Sequence, residues 1–409
     1  MSGLRLLVVS SDTYPPTRVD VAVLFARELV GRGHRIDWIL QSEAACGHAY
    51  ETPWGGGTAY VGATDLGDAL WRRIRKHLLG LKNDLKVLSL PAREHYDVIQ
   101  VKDKFLAGVL ALIARRRFRC RFIYWLSYPF PESYLLRARD GTARYPWLYR
   151  VRGTVFKWLL YRWLLPAADH VFVQSEQMRA DIAAEGIALD KMTAVPMGVA
   201  EELATPCAAR GVREVLPAGV PCVLYLGTLI QVRRLDFLIR AFARVHARLP
   251  QARLYLVGRG VEAEDEAFLR RAVAELRLEA SVIFVGELPQ ARALEYVREA
   301  DVCASPFHPT PILRSTSPTK LVEYLALGKA VVANDHPEQR RVLEESGGGL
   351  CVPYEEQAFA NALVRLLEDP ALARAMGERG RRYVLEHRSY RVIADAVERR
   401  LIACAEAPA

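Results

Sequence analysis

The sequence lacks the long apolar runs that mark membrane-spanning or exported proteins. A bilayer span needs about 18 to 20 consecutive apolar residues, and the longest apolar stretches of this chain fall well short of that. The apolar run near the N-terminus ends at Ser10 and is too short for a secretory signal peptide. We therefore expect a cytoplasmic protein that is either soluble or bound peripherally to the inner face of the plasma membrane.

Cysteine and histidine are sparse, and neither is spaced for metal binding. Nine histidines form no His-x-x-x-His pair, and seven cysteines are scattered singly. An odd, scattered set is typical of a reducing compartment and gives no zinc-ligand spacing. We expect these cysteines to fill core positions, and we expect no structural metal. The cysteines are Cys46, Cys120, Cys207, Cys222, Cys303, Cys351 and Cys404.

The length and composition fit an ordinary globular protein with more than one domain. The chain has 409 residues, of which 51% are hydrophobic and 25% charged, and no low-complexity tail. One hydrophobic core rarely serves so long a chain, so two domains of about 200 residues each are expected.

Strand and helix patterns alternate along the first half. Apolar runs predict strands at 4–10, 36–40, 97–101, 122–126 and 170–174, with helices at 21–29 and 105–115. This alternation is typical of a parallel sheet covered by helices.

A second alternating series begins after a segment rich in proline and glycine, at 206–221, which reads as a linker. Its predicted strands are 222–226, 253–257, 282–285, 302–304 and 330–333. We predict an α/β protein with two Rossmann-like, doubly wound domains, 1–205 and 206–384, and a C-terminal helix at about 385–409 packing back on the first. Ligands of such sheets bind at the carboxyl ends of the strands.

The segment 317–333 is the most informative in the chain. Ser317 suits a helix N-cap, Pro318 suits the first helical position, and Gly328 suits the stop. Lys320 adds a cation to the first turn, where the helix dipole is already positive. A stable arrangement there requires an anion such as a phosphate.

Helical spacing places Thr319 and Lys320 close to Glu323. A carboxylate one turn behind a phosphate is suited to accept hydrogen bonds from ribose hydroxyls. The alternative is a plain amphipathic helix with Leu321, Val322 and Leu325 in the core and an incidental Lys–Glu pair.

Three groups of residues carry a family likeness: Gly227-Thr228-Leu229 followed by Arg233, the segment 318–323, and the segment 328–332. Together they resemble the retaining glycosyltransferases of family 4. The resemblance implies the GT-B fold, with two Rossmann-like domains facing a cleft, the first on the acceptor side and the second binding the nucleotide sugar. It also implies transfer without a protein nucleophile, a metal or another cofactor.

By this resemblance, Arg233 and Lys320 are the catalytic cations that contact the donor diphosphate. Thr228 stands where relatives carry a second cation beside Gly227, and we expect Arg234 to replace it. The full set expected to bind the donor is Gly227, Thr228, Arg234, Ser315, Ser317, Thr319, Leu321 and Glu323.

The chain departs from the family pattern at two places. Glu323 matches the second of two family glutamates and is expected on the ribose, whereas Ser315 replaces the first, so backbone amides of 315–317 are expected at the donor sugar. In the loop after the first strand, where the family usually has a pair of glycines, this chain has Thr17-Arg18-Val19-Asp20. We therefore expect Arg18, Asp20, Asp103 and Ser127 to line the acceptor side of the cleft.

The net charge of +9 is concentrated on two helical segments, 69–88 and 145–165, in which basic residues alternate with apolar and aromatic ones. This pattern is typical of an anionic membrane surface and makes a nucleic-acid partner unlikely. The alternative is that both segments pack on the first sheet and present solvated basic faces.

The sequence thus predicts a hexosyltransferase that moves a sugar from a nucleotide diphosphate to a lipid-linked or glycan acceptor, in envelope or exopolysaccharide synthesis. One alternative is a sugar-nucleotide 2-epimerase, which would need acid and base side chains in the cleft that the sequence does not reveal. Another is a non-catalytic nucleotide-sugar-binding subunit, which would bind a donor without releasing its sugar.

Overall fold

The computed structural model describes residues 3–67, 69–141, 143, 145–204 and 215–407. The chain divides into two compact units, of which the first runs to Pro196 and resumes at Tyr390, and the second comprises Met197–Ser389. The division therefore falls at 196/197 rather than at 205/206. Residues 205–214, which include Cys207 and the first part of the predicted linker 206–221, lie outside the described residues.

The first unit contains an eight-stranded sheet with the order β3-β4-β2-β1-β5-β6-β7-β8. The strands are parallel except for β3, which pairs antiparallel with β4 at the sheet edge. The strands are β1 (Arg5–Tyr14), β2 (Arg35–Ser42), β3 (Tyr50–Trp54), β4 (Gly57–Gly62), β5 (Val98–Lys102), β6 (Arg121–Leu126), β7 (His170–Val173) and β8 (Met192–Ala194). The strand order reverses between β1 and β5, so the ligand crevice of this sheet is expected beside their carboxyl ends.

The β3–β4 hairpin was not predicted from the sequence. Gly55 and Gly56 form its turn, both with positive φ, at 54° and 80°. A two-residue turn of this kind matches the twist of the paired strands and requires positive φ at both positions. Because β3 alternates between exposed and partly buried residues, it lacks the apolar run that revealed the central strands.

Helices cover both faces of this sheet. They are Asp20–Leu29, Leu70–Asp84, Lys86–Ser89, Phe105–Phe118, Phe130–Arg139, Pro146–Leu159 continued by Leu160–Leu164 and Leu165–Ala167, Glu176–Ala184, Leu189–Lys191 and Tyr390–Glu406. The C-terminal helix, Tyr390–Glu406, thus belongs to the first unit. Glu398 on this helix accepts hydrogen bonds from Arg32 at 2.6 Å and pairs with His34 at 2.9 Å.

The second unit contains a six-stranded, all-parallel sheet with the order β11-β10-β9-β12-β13-β14. The strands are β9 (Cys222–Leu226), β10 (Arg253–Val257), β11 (Val282–Gly286), β12 (Val302–Ser305), β13 (Ala330–Asn334) and β14 (Gly349–Val352). The order reverses between β9 and β12, which places the expected crevice at Leu226 and Ser305. The prediction of two doubly wound parallel-sheet domains is confirmed, although β14 was missed.

Helices flank this second sheet as well. They are Glu201–Ala204, Gln231–Arg233, Asp236–Arg248, Ala263–Glu275, Gln290–Glu299, Leu313–Ser315, Thr319–Ala326, Pro337–Ser346, Glu356–Glu368 and Pro370–His387. In the described parts of both units, no helix combines the length and the apolar character needed to cross a membrane. Six cysteines are described and all are free thiols; of these, Cys120, Cys222 and Cys303 are buried.

Candidate active site

The helix Thr319–Ala326, hereafter the lysine helix, begins after Pro318 and ends before Gly328. Gly328 has φ of 73°, the left-handed conformation that glycine adopts at a helix end, so the predicted stop is confirmed. The prediction that Ser317 caps the helix is wrong. Its hydroxyl instead accepts a hydrogen bond from the backbone N–H of Met197 at 2.9 Å, because that amide competes for the same oxygen.

Lys320 is buried at the start of the lysine helix and turns toward β9. Its Nζ donates a hydrogen bond to the hydroxyl of Tyr225 at 2.7 Å and lies 4.1 Å from the centre of the Tyr225 ring. Burial, together with the nearby Arg233 guanidinium, holds the pKa of Lys320 well below its usual value.

Arg233 reaches the same tyrosine from the short helical turn Gln231–Arg233 after β9. Burial raises the pKa of Tyr225, and the nearby Arg233 guanidinium opposes that shift. The buried Nε of Arg233 has no hydrogen-bond partner among the described residues. Neither Arg233 nor Lys320 forms an ion pair with any described carboxylate. Two cations therefore lie near one neutral hydroxyl, an arrangement that an anion would stabilise.

Glycine at 227 keeps this cluster open. Gly227 follows β9 with φ of 148°, and a Cβ there would lie 3.1 Å from Nζ of Lys320. Gly258, at the end of β10, packs so closely that a Cβ on it would lie 2.1 Å from the Gly227 carbonyl oxygen. Both positions need glycine because the backbones approach each other beside the cations.

The lysine helix is held against β9 by Tyr324, whose hydroxyl accepts a hydrogen bond from the Leu226 N–H at 2.7 Å. On the same helix, Glu323 is half-buried and lies one turn beyond Lys320. Burial raises the pKa of Glu323 to about 7, although the positive charge of Lys320 opposes the shift. The site therefore holds a carboxyl group that titrates near neutral pH.

Arg234 does not fill the role expected of it. Its guanidinium forms two hydrogen bonds to the Asp236 carboxylate, at 3.0 and 2.9 Å, and Asp236 also accepts one from Arg240 at 2.8 Å. Thr228 is exposed, and its carbonyl accepts a weak hydrogen bond from the Tyr225 hydroxyl at 3.4 Å. The charge missing at Thr228 is thus not replaced by a free guanidinium at Arg234.

For two of the three amides of 315–317, those of Ser315 and Thr316, the predicted role is also corrected. The Ser315 amide donates to the Ile312 carbonyl at 3.3 Å, and the Thr316 amide donates to the Leu313 carbonyl at 3.0 Å. These two donors are used by a tight turn, so they are not free for a sugar. The Leu321 side chain is fully buried in the core, whereas Thr319 is half-buried in the first helical turn.

The four acceptor-side candidates gather in the first unit at the carboxyl ends of β1, β5 and β6. Arg18 forms two hydrogen bonds to Asp20, at 3.1 and 2.7 Å, and Asp20 pairs with Lys102 at 3.2 Å. Lys102 also pairs with Asp12 at 3.0 Å. Burial opposes the charged form of Asp20, but Lys102 and Arg18 outweigh it and hold the pKa of Asp20 below its usual value.

Asp103 and Ser127 form a second contact beside this network. Asp103 has φ of 57°, and its carboxylate accepts hydrogen bonds from the Ser127 N–H, at 2.8 Å, and from the Ser127 hydroxyl. Burial raises the pKa of Asp103 to about 6 despite these bonds and the nearby Lys102. Asp103 is thus a second carboxyl group that titrates near neutral pH.

Sequence reasoning missed three members of these clusters, namely Tyr225, Lys102 and Asp12. Tyr225 in β9 gave no signal, because a tyrosine in an apolar strand resembles a core residue. Lys102 did give one, since a lysine at the end of a buried strand requires a carboxylate partner, and that partner is supplied by Asp12 and Asp20.

A cavity of about 620 Å³ adjoins Asp103 in the first unit. Its walls are largely apolar and include Leu78, Leu81, Phe105, Leu126, Phe130 and Phe156. The second unit has a cavity of about 590 Å³ at the amino ends of β9 and β13. Gly227 lies at the other end of β9, where the strand ends.

Comparison with known proteins agrees with this architecture. A model described as Glycosyltransferase Family 4 matches residues 20–203, and a model described as Glycosyl transferases group 1 matches residues 220–369. The chain belongs to glycosyltransferase family 4. In this family 4 chain, Lys320 and Arg233 lie in the part matched by the group 1 model, and Asp20, Asp103 and Ser127 lie in the other.

Curated relatives match only part of this family 4 chain. A phosphatidyl-myo-inositol mannosyltransferase from Mycolicibacterium smegmatis is 34% identical over 152 residues, which are 37% of this chain and 37% of that protein. A D-inositol 3-phosphate glycosyltransferase from Kineococcus radiotolerans is 30% identical over 242 residues, or 54% of each chain. The chain thus spans between about a third and a half of the length of these relatives.

Solved structures match over the whole length. Sucrose-phosphate synthase from Thermosynechococcus elongatus has a TM-score of 0.74 at 22% identity, covering 98% of this chain and 99% of that one. HepE from Anabaena in complex with UDP has a TM-score of 0.69 at 17% identity, covering 98% of this chain and 100% of that one. At these identities the likeness shows the fold, which is GT-B.

Proposed function

We propose that this chain is a retaining hexosyltransferase that moves a sugar from a nucleotide-diphosphate donor to a lipid-linked or glycan acceptor. The observation that carries the proposal is that Lys320 and Arg233 both lie near the Tyr225 hydroxyl, and that neither cation is paired with a carboxylate in the described part of the chain. The pair lies at the carboxyl end of β9 and at the positive end of the lysine helix, where a diphosphate is favoured.

The proposed reaction needs charge stabilisation more than acid–base catalysis. The bond between the sugar C1 and the diphosphate oxygen breaks, and its electron pair leaves with the diphosphate. The acceptor hydroxyl oxygen bonds to C1 on the same face and gives its proton to a phosphate oxygen of the leaving group. Lys320 and Arg233 would stabilise the charge that develops on the diphosphate. The proposal assigns this role to them rather than to a metal ion, so a chelator should leave the rate unchanged.

Glu323 is proposed to accept hydrogen bonds from the ribose hydroxyls, since it lies one turn beyond Lys320 on the same helix. HepE, which has a similar fold, was solved in complex with UDP, and this supports a nucleotide donor for the present chain. The names of the mannosyltransferase and inositol glycosyltransferase relatives support a hexose as the transferred group. Synthesis of envelope or exopolysaccharide glycans is the proposed setting.

A screen of the purified chain against UDP-, GDP-, ADP- and TDP-sugars tests this function. Thermal stabilisation by one donor, with release of its diphosphate followed by mass spectrometry, is the expected result. Failure of every nucleoside diphosphate to raise the melting temperature would overturn the proposal.

A non-catalytic nucleotide-sugar-binding subunit is the second candidate, favoured by the loss of the family glutamate at Ser315 and by the engagement of Arg234 with Asp236. The same screen separates the two. Stabilisation by a donor without any release of diphosphate, even with glycan and lipid acceptors supplied, would favour the binding subunit.

We also propose that the first unit docks peripherally on an anionic membrane surface from the cytoplasmic side. The helix Leu70–Asp84, hereafter the basic helix, exposes Trp71 by 56% and Leu78 by 60% beside its arginines and lysines. The helix Pro146–Leu159, hereafter the aromatic helix, exposes Trp147 by 69% and Trp158 by 62%. These apolar side chains are exposed rather than packed on the sheet, and basic side chains beside them complement anionic lipid headgroups.

Sedimentation with anionic vesicles tests the docking. Pelleting at low salt that weakens as salt rises is expected, and replacing Trp71 and Trp147 with serine should abolish it. Equal recovery of the protein in the supernatant with anionic and with neutral vesicles would refute the proposed membrane docking.

A further inference from the structure

We propose that the cavity of about 620 Å³ in the first unit binds the apolar chain of an anionic amphiphile, which is the acceptor. This inference rests on the proposed transferase function and deepens it by naming the acceptor class. The cavity volume lies within the roughly 300–1,000 Å³ typical of sites for small ligands.

The chemistry of the walls favours an apolar chain over a free glycan. Aliphatic and aromatic side chains from the basic helix, from Phe105–Phe118, from Phe130–Arg139 and from the aromatic helix supply most of the surface. A glycan would need many converging hydrogen-bond donors and acceptors. Of the acidic side chains lining the cavity, Asp84 is paired with Lys104, and Asp103 is bonded to Ser127.

A cation without an acidic partner marks the anionic end. Arg152 lines the cavity, and its guanidinium carbon lies 4.4 Å from the ring centre of Tyr134 and 5.5 Å from that of Phe156. Among the described residues no carboxylate pairs with it. Stacking on two rings holds the guanidinium in place, as a phosphate or carboxylate recognition site requires.

The cavity connects the surface to the strand ends. Leu78 and Leu81 line it from the basic helix and are also exposed, by 60% and 37%, so an apolar chain can enter there. Ser10, within β1, and Asp103, directly after β5, also line it. A hydroxyl of the bound amphiphile would therefore lie close to the Asp103 carboxylate, the position expected for the accepting oxygen.

Calorimetric titration of the full chain with three probes tests the inference. The probes are lauroyl lysophosphatidic acid, dodecyl maltoside with the same chain length but no charge, and glycerol 3-phosphate with no chain. The lysolipid should bind at least tenfold more tightly than either of the others. Equal affinity for lysolipid and maltoside would overturn the anionic part, and failure to bind the lysolipid would overturn the whole.

Paired variants locate the binding. Leu81→Asp and Arg152→Gln should each weaken lysolipid binding by about tenfold. Ile113→Asp and Arg117→Gln are matched controls outside the cavity, since Ile113 is 48% exposed and Arg117 lies 5.7 Å from the ring centre of Phe118. The controls should bind as the parent does, and equal losses in both pairs would place the lipid elsewhere.

Nucleoside diphosphate binding, measured in the same samples, separates this inference from the proposed function. Loss of lysolipid binding with nucleotide binding intact refutes the acceptor class alone, whereas absence of nucleotide binding refutes the transferase. Uptake of labelled lysolipid out of vesicles would identify a membrane lipid as the source. Uptake of dispersed lysolipid alone would identify a soluble amphiphile, and either result supports the inference.

Discussion

The two units differ in whether a buried lysine is neutralised by carboxylates. In the first unit, Lys102 is buried between Asp12 and Asp20, at 3.0 and 3.2 Å, so its charge is neutralised within the fold. In the second unit, Lys320 is buried against Tyr225, with the Arg233 charge nearby, and pairs with none of the carboxylates that the structure describes. A neutralised cluster is complete without a ligand, whereas a cluster with excess charge is stabilised when an anion arrives.

The largest effect is expected from removing the unneutralised charge. Lys320→Ala should raise the activation free energy of donor turnover by about 2 to 4 kcal/mol, because the variant lacks a preorganised cation beside the leaving diphosphate. Lys329→Ala, at the opposite end of the same sheet, is the control. Assayed as diphosphate release, the control should keep its rate, and an unchanged rate in the Lys320 variant would contradict the assignment.

Breaking the neutralised cluster should instead lower stability. Asp20→Asn should reduce the free energy of unfolding by about 2 to 3 kcal/mol, because Lys102 then keeps only Asp12 as a partner. Lys320→Ala should cause no such loss, since it removes a buried charge that pairs with no described carboxylate. Urea unfolding of both variants tests the contrast, and a larger loss in the Lys320 variant would reverse the interpretation.

The pH dependence of binding should follow Glu323. With its pKa near 7, the carboxylate form falls to about one tenth at a pH one unit lower, so nucleoside diphosphate binding should weaken by about tenfold between pH 8 and pH 6. Glu323→Gln should bind weakly and flatten this profile. A parent profile that stays flat from pH 8 to pH 6 in calorimetry would contradict the ribose contact.

The contributions of Glu323 and Asp20 to stability should depend on pH with opposite signs. The raised pKa of Glu323 means that its contribution to stability is largest below its usual pKa and is lost as the pH rises through about 7. The pKa of Asp20 is lowered, so its contribution is present above its usual pKa and is lost as the pH falls toward its folded value. Asp20→Asn should therefore reduce the loss of stability at acid pH, measured by urea unfolding.

The smallest effect is expected at Arg234. Because its guanidinium is held by Asp236 at 2.9 and 3.0 Å, Arg234→Gln should change kcat/KM by less than about fivefold, whereas Arg233→Gln should approach the loss seen for Lys320→Ala. Steady-state kinetics of the two neighbours tests this. Equal losses would mean that Arg234 leaves Asp236 when the donor binds.

The fold was largely predictable because buried parallel strands are apolar along their whole length. Runs such as those of β1, β5, β9 and β13 stand out against polar loops and helix ends, and their alternation with helices specifies a doubly wound sheet. Strands β3, β4, β8 and β14 were missed. In β3 and β14 no residue is fully buried, which leaves no such apolar run, and β8 has only three residues.

The site was predictable only where a local rule applied. A lysine in the first turn of a helix signals an anion whatever surrounds it, so Lys320 was found from the sequence. Ser317 follows an equally sound local rule, but the prediction that it caps the helix was wrong. Its hydroxyl instead accepts a hydrogen bond from the backbone N–H of Met197, 120 positions away. Arg234 was misjudged for the same reason, since Asp236 takes its charge.

The sequence by itself determined the two alternating units, the glycine that ends the lysine helix and the positive start of that helix, because each depends on neighbours within a few residues. Only the tertiary structure decided which charges are neutralised and which remain available. Lys102 and Asp12, and Lys320 and Tyr225, are brought together across 90 and 95 positions by the packing of separate strands and helices. The balance of charge at a site is a property of those long-range contacts, so it becomes visible only when the chain has folded.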